Sequence, residues 1–215
     1  MKKIIFLSIL CMTTLLSACS FGESTEKKLS NILIEIYDSE KEYRDVQANL
    51  ADLEMKEQSS FLSMMELTQE QKGNLETLVD QTADLLDERL LLVERESTSI
   101  KQASEKLSNL ETLISETKEE ADKDALLKIE EALQSRFTSY EDVKNQYTIL
   151  ANLQKELYNM LVVENIEVSL IQEKVQKVNK QNEIVQKYVQ QFNDLTTQLN
   201  QVKSEVFSSI QQEKS

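Results

Sequence analysis

Residues 168–210 read VSLIQEKVQKVNKQNEIVQKYVQQFNDLTTQLNQVKSEVFSSI. In this stretch Ile171, Val178, Val185, Phe192, Leu199 and Val206 fall seven positions apart, with Val168, Val175, Val189 and Ile210 on a companion line. Apolar side chains that return every three or four positions mark an α-helix. A strict seven-residue repeat keeps the stripe facing partner helices that supercoil left-handedly. Tyr188, Leu195 and Val202 broaden the stripe beyond a two-position seam, and that width suits a bundle better than a two-stranded coiled coil. Asn182 interrupts the companion line between Val175 and Val189, where a single amide can fix helix register.

The same rhythm recurs three times upstream. Val79, Leu86, Val93, Ile100, Leu107 and Ile114 form one line, broadened by Leu85, Leu90 and Leu92. Leu29, Ile36, Tyr43 and Leu50 form another, with Ile32, Val46 and Leu53 beside it. Leu126, Leu133, Tyr140 and Tyr147 form the last, with Ile129, Val143, Leu150 and Leu157. No proline punctuates the chain, so the turns are placed from capping signals. Thr68-Gln69-Glu70-Gln71 and Thr117-Lys118-Glu119-Glu120 read as capping boxes, and Asn165 as the cap of the last helix. The expected helices run near 25–65, 69–115, 119–163 and 167–212. The fold class is therefore all-α: an elongated, up-and-down antiparallel bundle of four long helices with coiled-coil-like packing, occupying residues 25–213. Helices of this size extend roughly 65 Å at 1.5 Å per residue.

The N-terminus has a different character. Met1-Lys2-Lys3 is basic, and Ile4 to Leu16 is an apolar run too short for a bilayer span, which needs about 20 residues. This fits the apolar region of a secretory signal. Leu16-Ser17-Ala18-Cys19 then matches a lipobox at all four positions. Residues 1–18 are thus expected to be a lipoprotein signal peptide, cleaved between Ala18 and Cys19. The Cys19 thiol would carry diacylglycerol and its freed amine can be acylated, as with palmitate. Two or more acyl chains, at about 0.8 kcal/mol per buried methylene, hold a protein on a membrane where one does not. Residues 19–24 form a lipidated tether.

Composition narrows the chemistry of the body. Cys11 leaves with the signal and Cys19 is consumed by lipid, so the mature chain has no thiol for a disulfide, a metal or a nucleophile. There is no His, which removes serine–histidine triads and most zinc or copper sites. Gly22 and Gly73 are the only glycines, too few for a phosphate-cradling loop. No cofactor and no metal site is expected, and no catalytic residue stands out. Loss of Lys2 and Lys3 takes the formal charge from −14 to −16. Nucleic acid is not an expected partner, since basic patches drive such binding. Residues 166–215 are neutral, with six acidic and six basic side chains, so the whole excess lies upstream.

Several residues are candidate sites. Arg89, Glu96 and Arg136 fall in or beside apolar registers and are expected to form a structural ion network between the second and third helices. Tyr140, Tyr147 and Tyr158 suit sugar stacking, but at heptad spacing they are expected in the core with hydroxyls reaching outward. The last helix is amide-rich, and Gln172, Gln176, Gln186 and Gln190 are candidate wall or glycan contacts, because amides both donate and accept. Glu116, Glu119, Glu120, Asp122 and Asp124 crowd one turn but lack a calcium-loop pattern; acidic side chains at a helix N-terminus explain them.

Arg136-Phe137-Thr138-Ser139-Tyr140, continuing through Tyr147 to Lys155-Glu156-Leu157-Tyr158-Asn159-Met160-Leu161, carries a further resemblance. So do Asp87-Glu88-Arg89-Leu90 through Glu96-Ser97, and Phe192-Asn193-Asp194-Leu195-Thr196. In order and texture, nearly the whole mature chain resembles the YkyA-type family of cell-wall-binding lipoproteins of Gram-positive bacteria. Val163-Glu164-Asn165 departs from it, standing where a basic, turn-forming junction is expected. The resemblance implies a long helical bundle at or near the cell wall, and supplies no catalytic residues. The reading is a non-enzymatic lipoprotein, lipid-anchored on the extracytoplasmic face of the cell membrane. Its partner is peptidoglycan or an envelope protein. The alternative is a scaffolding lipoprotein that binds another envelope protein or itself.

Overall fold

A computed structural model describes residues 23–67 and 71–212. The expected signal peptide, Cys19 with residues 20–22 of the tether, the Thr68–Glu70 part of the first capping box, and residue 213 lie outside the described residues. Six helices make up the rest: α1 (Thr25–Ser39), α2 (Lys41–Glu66), α3 (Lys72–Glu105), α4 (Leu107–Glu116), α5 (Glu120–Leu161) and α6 (Val168–Gln212). No strand occurs among the described residues. The helices form four antiparallel rods, because α2 continues α1 and α4 continues α3. Cross-rod pairs fix the directions: Lys28 meets Glu116, Asp87 meets Lys155, and Glu156 meets Lys174. The 45 residues of α6 extend about 68 Å.

The chain enters α1 at Ser24, whose Oγ accepts the Lys27 N–H at 3.3 Å. Such a cap satisfies one of the donors that every helix start leaves free. The first rod then bends at Glu40 (φ −83°, ψ 8°). The cause is a side chain from α3. Ser99 Oγ donates to the Ser39 carbonyl at 2.7 Å and accepts the Tyr43 N–H at 3.1 Å. It stands between two groups that a regular helix would pair, and insertion into that ladder is a known origin of kinks. The second rod bends at Lys106, whose N–H bonds Ala103 O at 3.1 Å, a three-residue closure that tightens the turn.

Two of the expected caps work differently. Thr117 donates its hydroxyl back to Leu113 O at 2.8 Å, finishing α4, and α5 starts three residues later, at Glu120, behind Glu119 with no side-chain cap. Asn165 takes φ 55° and turns the chain three residues before α6 begins. Asn is among the few residues besides glycine that enter this left-handed region readily.

The packing differs between the two ends. At the end holding residue 25, Leu29 and Ile36 of α1, Leu110 of α4, Leu126 and Leu133 of α5, and Leu199, Val206 and Ile210 of α6 share one apolar cluster. Here α1 packs on α6 and closes a four-helix core. Beyond the kink α2 packs mainly on α3, and α6 mainly on α5. The far end is held by Met64, Val79, Leu86, Ala151, Leu157 and Tyr158.

Candidate functional site

Because α2 and α6 diverge, a cleft of about 690 Å³ runs between them, with α3 and α5 as its floor. Leu50, Glu54 and Phe61 line the α2 wall, and Asn179, Asn182, Val189 and Asn193 line the α6 wall. The floor is polar. Arg89 is buried at 3 % exposure. Its Nη1 pairs with Glu57, itself 1 % exposed. Its Nε and Nη2 donate to Tyr147 Oη at 2.9 and 2.7 Å, and Nη2 lies 3.6 Å from Glu54. Tyr147 Oη in turn donates to Glu54 at 2.6 Å, and Tyr158 Oη to Glu57 Oε1 at 2.6 Å. Burial raises both phenols, partly offset by the Arg89 charge, so they remain protonated donors.

A second layer lies nearer the closed end. Arg136 Nη1 and Nη2 donate to the two Glu40 oxygens at 2.5 and 3.2 Å, and Nε donates to Thr196 Oγ1 at 2.9 Å. The kink thus holds a buried ion pair. Glu96 lies between the two arginine layers and is paired with neither. It accepts Tyr140 Oη at 3.0 Å and the Gln47 side-chain amide. Burial pushes its carboxyl up to about 7; the Tyr140 bond works against this and the Glu54 charge adds to it.

The expected three-residue network is therefore divided. Arg89, Glu96 and Arg136 are all buried, but they bond to other partners: Arg89 to Glu57, Arg136 to Glu40, and Glu96 to neutral donors. Seven positions along one helix separate Arg89 from Glu96 by about 10 Å, so each is met by side chains from facing rods. Tyr140, Tyr147 and Tyr158 are core residues; the Tyr140 and Tyr158 hydroxyls turn to the buried carboxylates Glu96 and Glu57, and the Tyr147 hydroxyl to the more exposed Glu54. Glu40, Glu54 and Glu57 were not picked out by the sequence reading. Glu57 had a signal: the line Leu29, Ile36, Tyr43, Leu50 reaches it at the next step of seven.

On α6, Gln172, Gln176, Gln186 and Gln190 are all exposed, and Gln190 donates to Asp194 at 2.8 Å. Gln172 and Gln186 share a heptad line with Asn179 and Asn193, which the cleft brings into its wall. Asn182 is exposed on that wall. The buried amide is its neighbour Gln181, which donates to Gln146 O at 3.0 Å and Oε1 at 2.9 Å and ties α6 to α5. At the acidic turn Glu116 pairs with Lys28 at 3.1 Å. Among the described residues, no group of three or more carboxylates gathers as a metal site, and no helix is long and apolar enough to cross a membrane.

A family model described as "Putative cell-wall binding lipoprotein" and named YkyA matches residues 24–209, all but the last turn of the bundle. The chain belongs to the YkyA family. A relative in Bacillus subtilis (strain 168), "Uncharacterized lipoprotein YkyA", is 23 % identical over 198 residues, covering 92 % of this chain and 88 % of that protein. A solved structure of a conserved Staphylococcus aureus protein of unknown function superposes with a TM-score of 0.71 at 14 % identity. It covers 86 % of this chain and 96 % of that one, and shows that the YkyA bundle shares its fold.

Proposed function

We propose that this YkyA-family member is a non-enzymatic lipoprotein, anchored through Cys19 on the extracytoplasmic face of the cell membrane, that binds the wall along the α2–α6 cleft. The observation that carries the reading is the cleft itself. A chain able to close a four-helix core at one end leaves an opening between α2 and α6 beyond the kink. It lines the opening with amides, aromatic rings and buried hydrogen-bonding groups, a surface matched to polymers rich in hydroxyls and amides. The α6 wall belongs to the neutral segment 166–215, so an anionic wall polymer is not repelled there as it is by the acidic remainder. The buried carboxylates Glu40 and Glu57 are engaged by arginines, an arrangement suited to holding helices together more than to proton transfer.

The test is co-sedimentation of the Cys19→Ser chain with isolated peptidoglycan. Retention is expected, and should fall about tenfold, the equivalent of 1.4 kcal/mol, when Asn179 and Asn193 are both changed to Leu. Lack of retention by the unaltered cleft would overturn wall binding. The same Cys19→Ser chain, expressed in cells, should leave the membrane for the medium; its persistence on the membrane would overturn anchoring.

A second reading has its own observation. Leu62, Met65, Val163 and Val168 are 54–66 % exposed, on segments that end or begin near the turn where Lys72 meets Glu164. Exposed apolar groups at one end favour a protein partner or self-association. Light scattering that returns a dimer, lost in Leu62→Ser/Met65→Ser, would support this scaffolding role.

A further inference from the structure

Glu40, Glu57 and Glu96 are the carboxylates buried to less than 9 % exposure among the described residues. Glu40 faces Arg136 and Glu57 faces Arg89. Glu96 receives only the Tyr140 hydroxyl and the Gln47 amide, both neutral, although it lines the cleft. A buried carboxylate without a cation carries a large desolvation cost, and a cation brought to it recovers that cost. The surroundings favour such a cation. Tyr43, Tyr140 and Phe192 lie edge to face around one another, with centroids 5.7–6.0 Å apart, at the same end of the cleft. Ring faces attract cations, and Arg136 already exploits Phe192 from one side, with its guanidinium carbon 4.8 Å from the ring centre.

The neighbouring cation does not fill the role. Lys144 lines the cleft, but its ammonium is held by Glu94 and by Ser97, each at 2.9 Å. A separate acceptor is also left over. Gln154 Oε1 is buried with no donor, fourteen residues beyond Tyr140 on α5, or about 21 Å along the same cleft. Both positions call for hydrogen-bond donors from outside the chain.

We propose that the closed end of the cleft, where Glu96 lies among Tyr43, Tyr140 and Phe192, binds a primary ammonium group borne on a wall polymer. The site rests on the wall-binding reading above for the carrier of the amine, but not for the amine chemistry. Glu96 must be ionised to bind. The groups facing it are Tyr43 and Glu54 on α2, Arg89 on its own helix, and Arg136, Tyr140 and Lys144 on α5. From α6 come Phe192 and Asn193, which do not titrate. With the carboxyl titrating at about 7, affinity should rise about tenfold from pH 6 to pH 8, while an alkyl amine keeps its proton.

Two probes separate failure of this site from failure of wall binding. The first is isolated peptidoglycan, native or with its primary amines acetylated. Acetylation should lower retention of the Cys19→Ser chain at least tenfold, and adding Glu96→Gln should produce the same loss with no further effect of acetylation. Mild alkali, which strips aminoacyl esters and spares peptide amines, tells which carrier bears the group. The second probe is Nα-acetyl-lysine amide followed by NMR, which should bind the unaltered cleft and bind Glu96→Gln at least tenfold more weakly. Glu88→Gln, which removes an exposed carboxylate on the outer side of α3, should leave both probes unaffected. Retention indifferent to acetylation, or lysine amide that ignores Glu96→Gln or fails to bind, overturns the site. Lysine amide that binds while peptidoglycan does not leaves the site standing and overturns wall binding.

Discussion

Arg89 and Glu57 meet with almost no solvent access, and Tyr147 and Tyr158 take up much of their remaining hydrogen-bonding capacity. Such a pair specifies register more than it adds stability. Arg89→Met should cost about 3–5 kcal/mol, because it leaves the buried Glu57 without its cation. Adding Glu57→Leu should recover most of that loss, and urea unfolding of the four proteins in the cycle checks it. A double variant as unstable as the single one would show that the pair contributes net stability. Glu96 makes a different kind of prediction. Its folded pKa, about 7, stands above the ordinary carboxyl value of 4.5. Its contribution is therefore fully present below pH 4.5 and is lost as pH rises through 7. Relative to the parent, Glu96→Gln should gain up to about 3 kcal/mol between pH 4.5 and pH 8. Denaturant midpoints at those two pH values test the sign, and a gain in the opposite direction would place Glu96 in a better-solvated setting.

The helices themselves followed from heptad lines. Val185, Phe192, Leu199 and Val206 are all buried, as their spacing requires, and the four rods end within a few residues of the expected limits. The kinks did not follow, because no Pro or Gly marks them. The bend at Glu40 is caused by Ser99, sixty positions away from Ser39 in sequence, and no local pattern reports it. Ser99→Ala should strand the Ser39 carbonyl and Tyr43 N–H and cost about 1–3 kcal/mol. A loss near zero in thermal unfolding would mean that α1 and α2 simply join into one straight helix. The partners of Arg89 and Arg136 were equally hidden. Residue type and register show that a charge is buried, but which carboxylate meets it depends on how the rods are offset. Asn182 illustrates the same limit: its line is apolar in α6, yet it faces a gap because α2 has leaned away.

As a whole the molecule is tight at one end and parted at the other. Leu199 and Val206 of α6 are buried in the core shared with α1, α4 and α5, whereas Ile171, Val175 and Val178 are only partly buried, against Met64, Val79 and Leu86 as well as α5. Opening should be easier where fewer contacts resist it. Amides of Ile171–Asn182 should therefore exchange with solvent faster than those of Leu195–Val206, read by mass spectrometry. Equal protection along α6 would mean that the bundle opens as one unit. The first described residues, Glu23 and Ser24, lie at the tight end, and the cleft begins beyond them. A pull between that end and a polymer in the cleft would run along the helix axes. The apolar and arginine layers joining the first rod to its neighbours would then be strained side by side, in shear, instead of being unzipped in turn. A bundle fastened in this way would resist rupture as a tether under tension, a mechanical property that none of its individual contacts possesses.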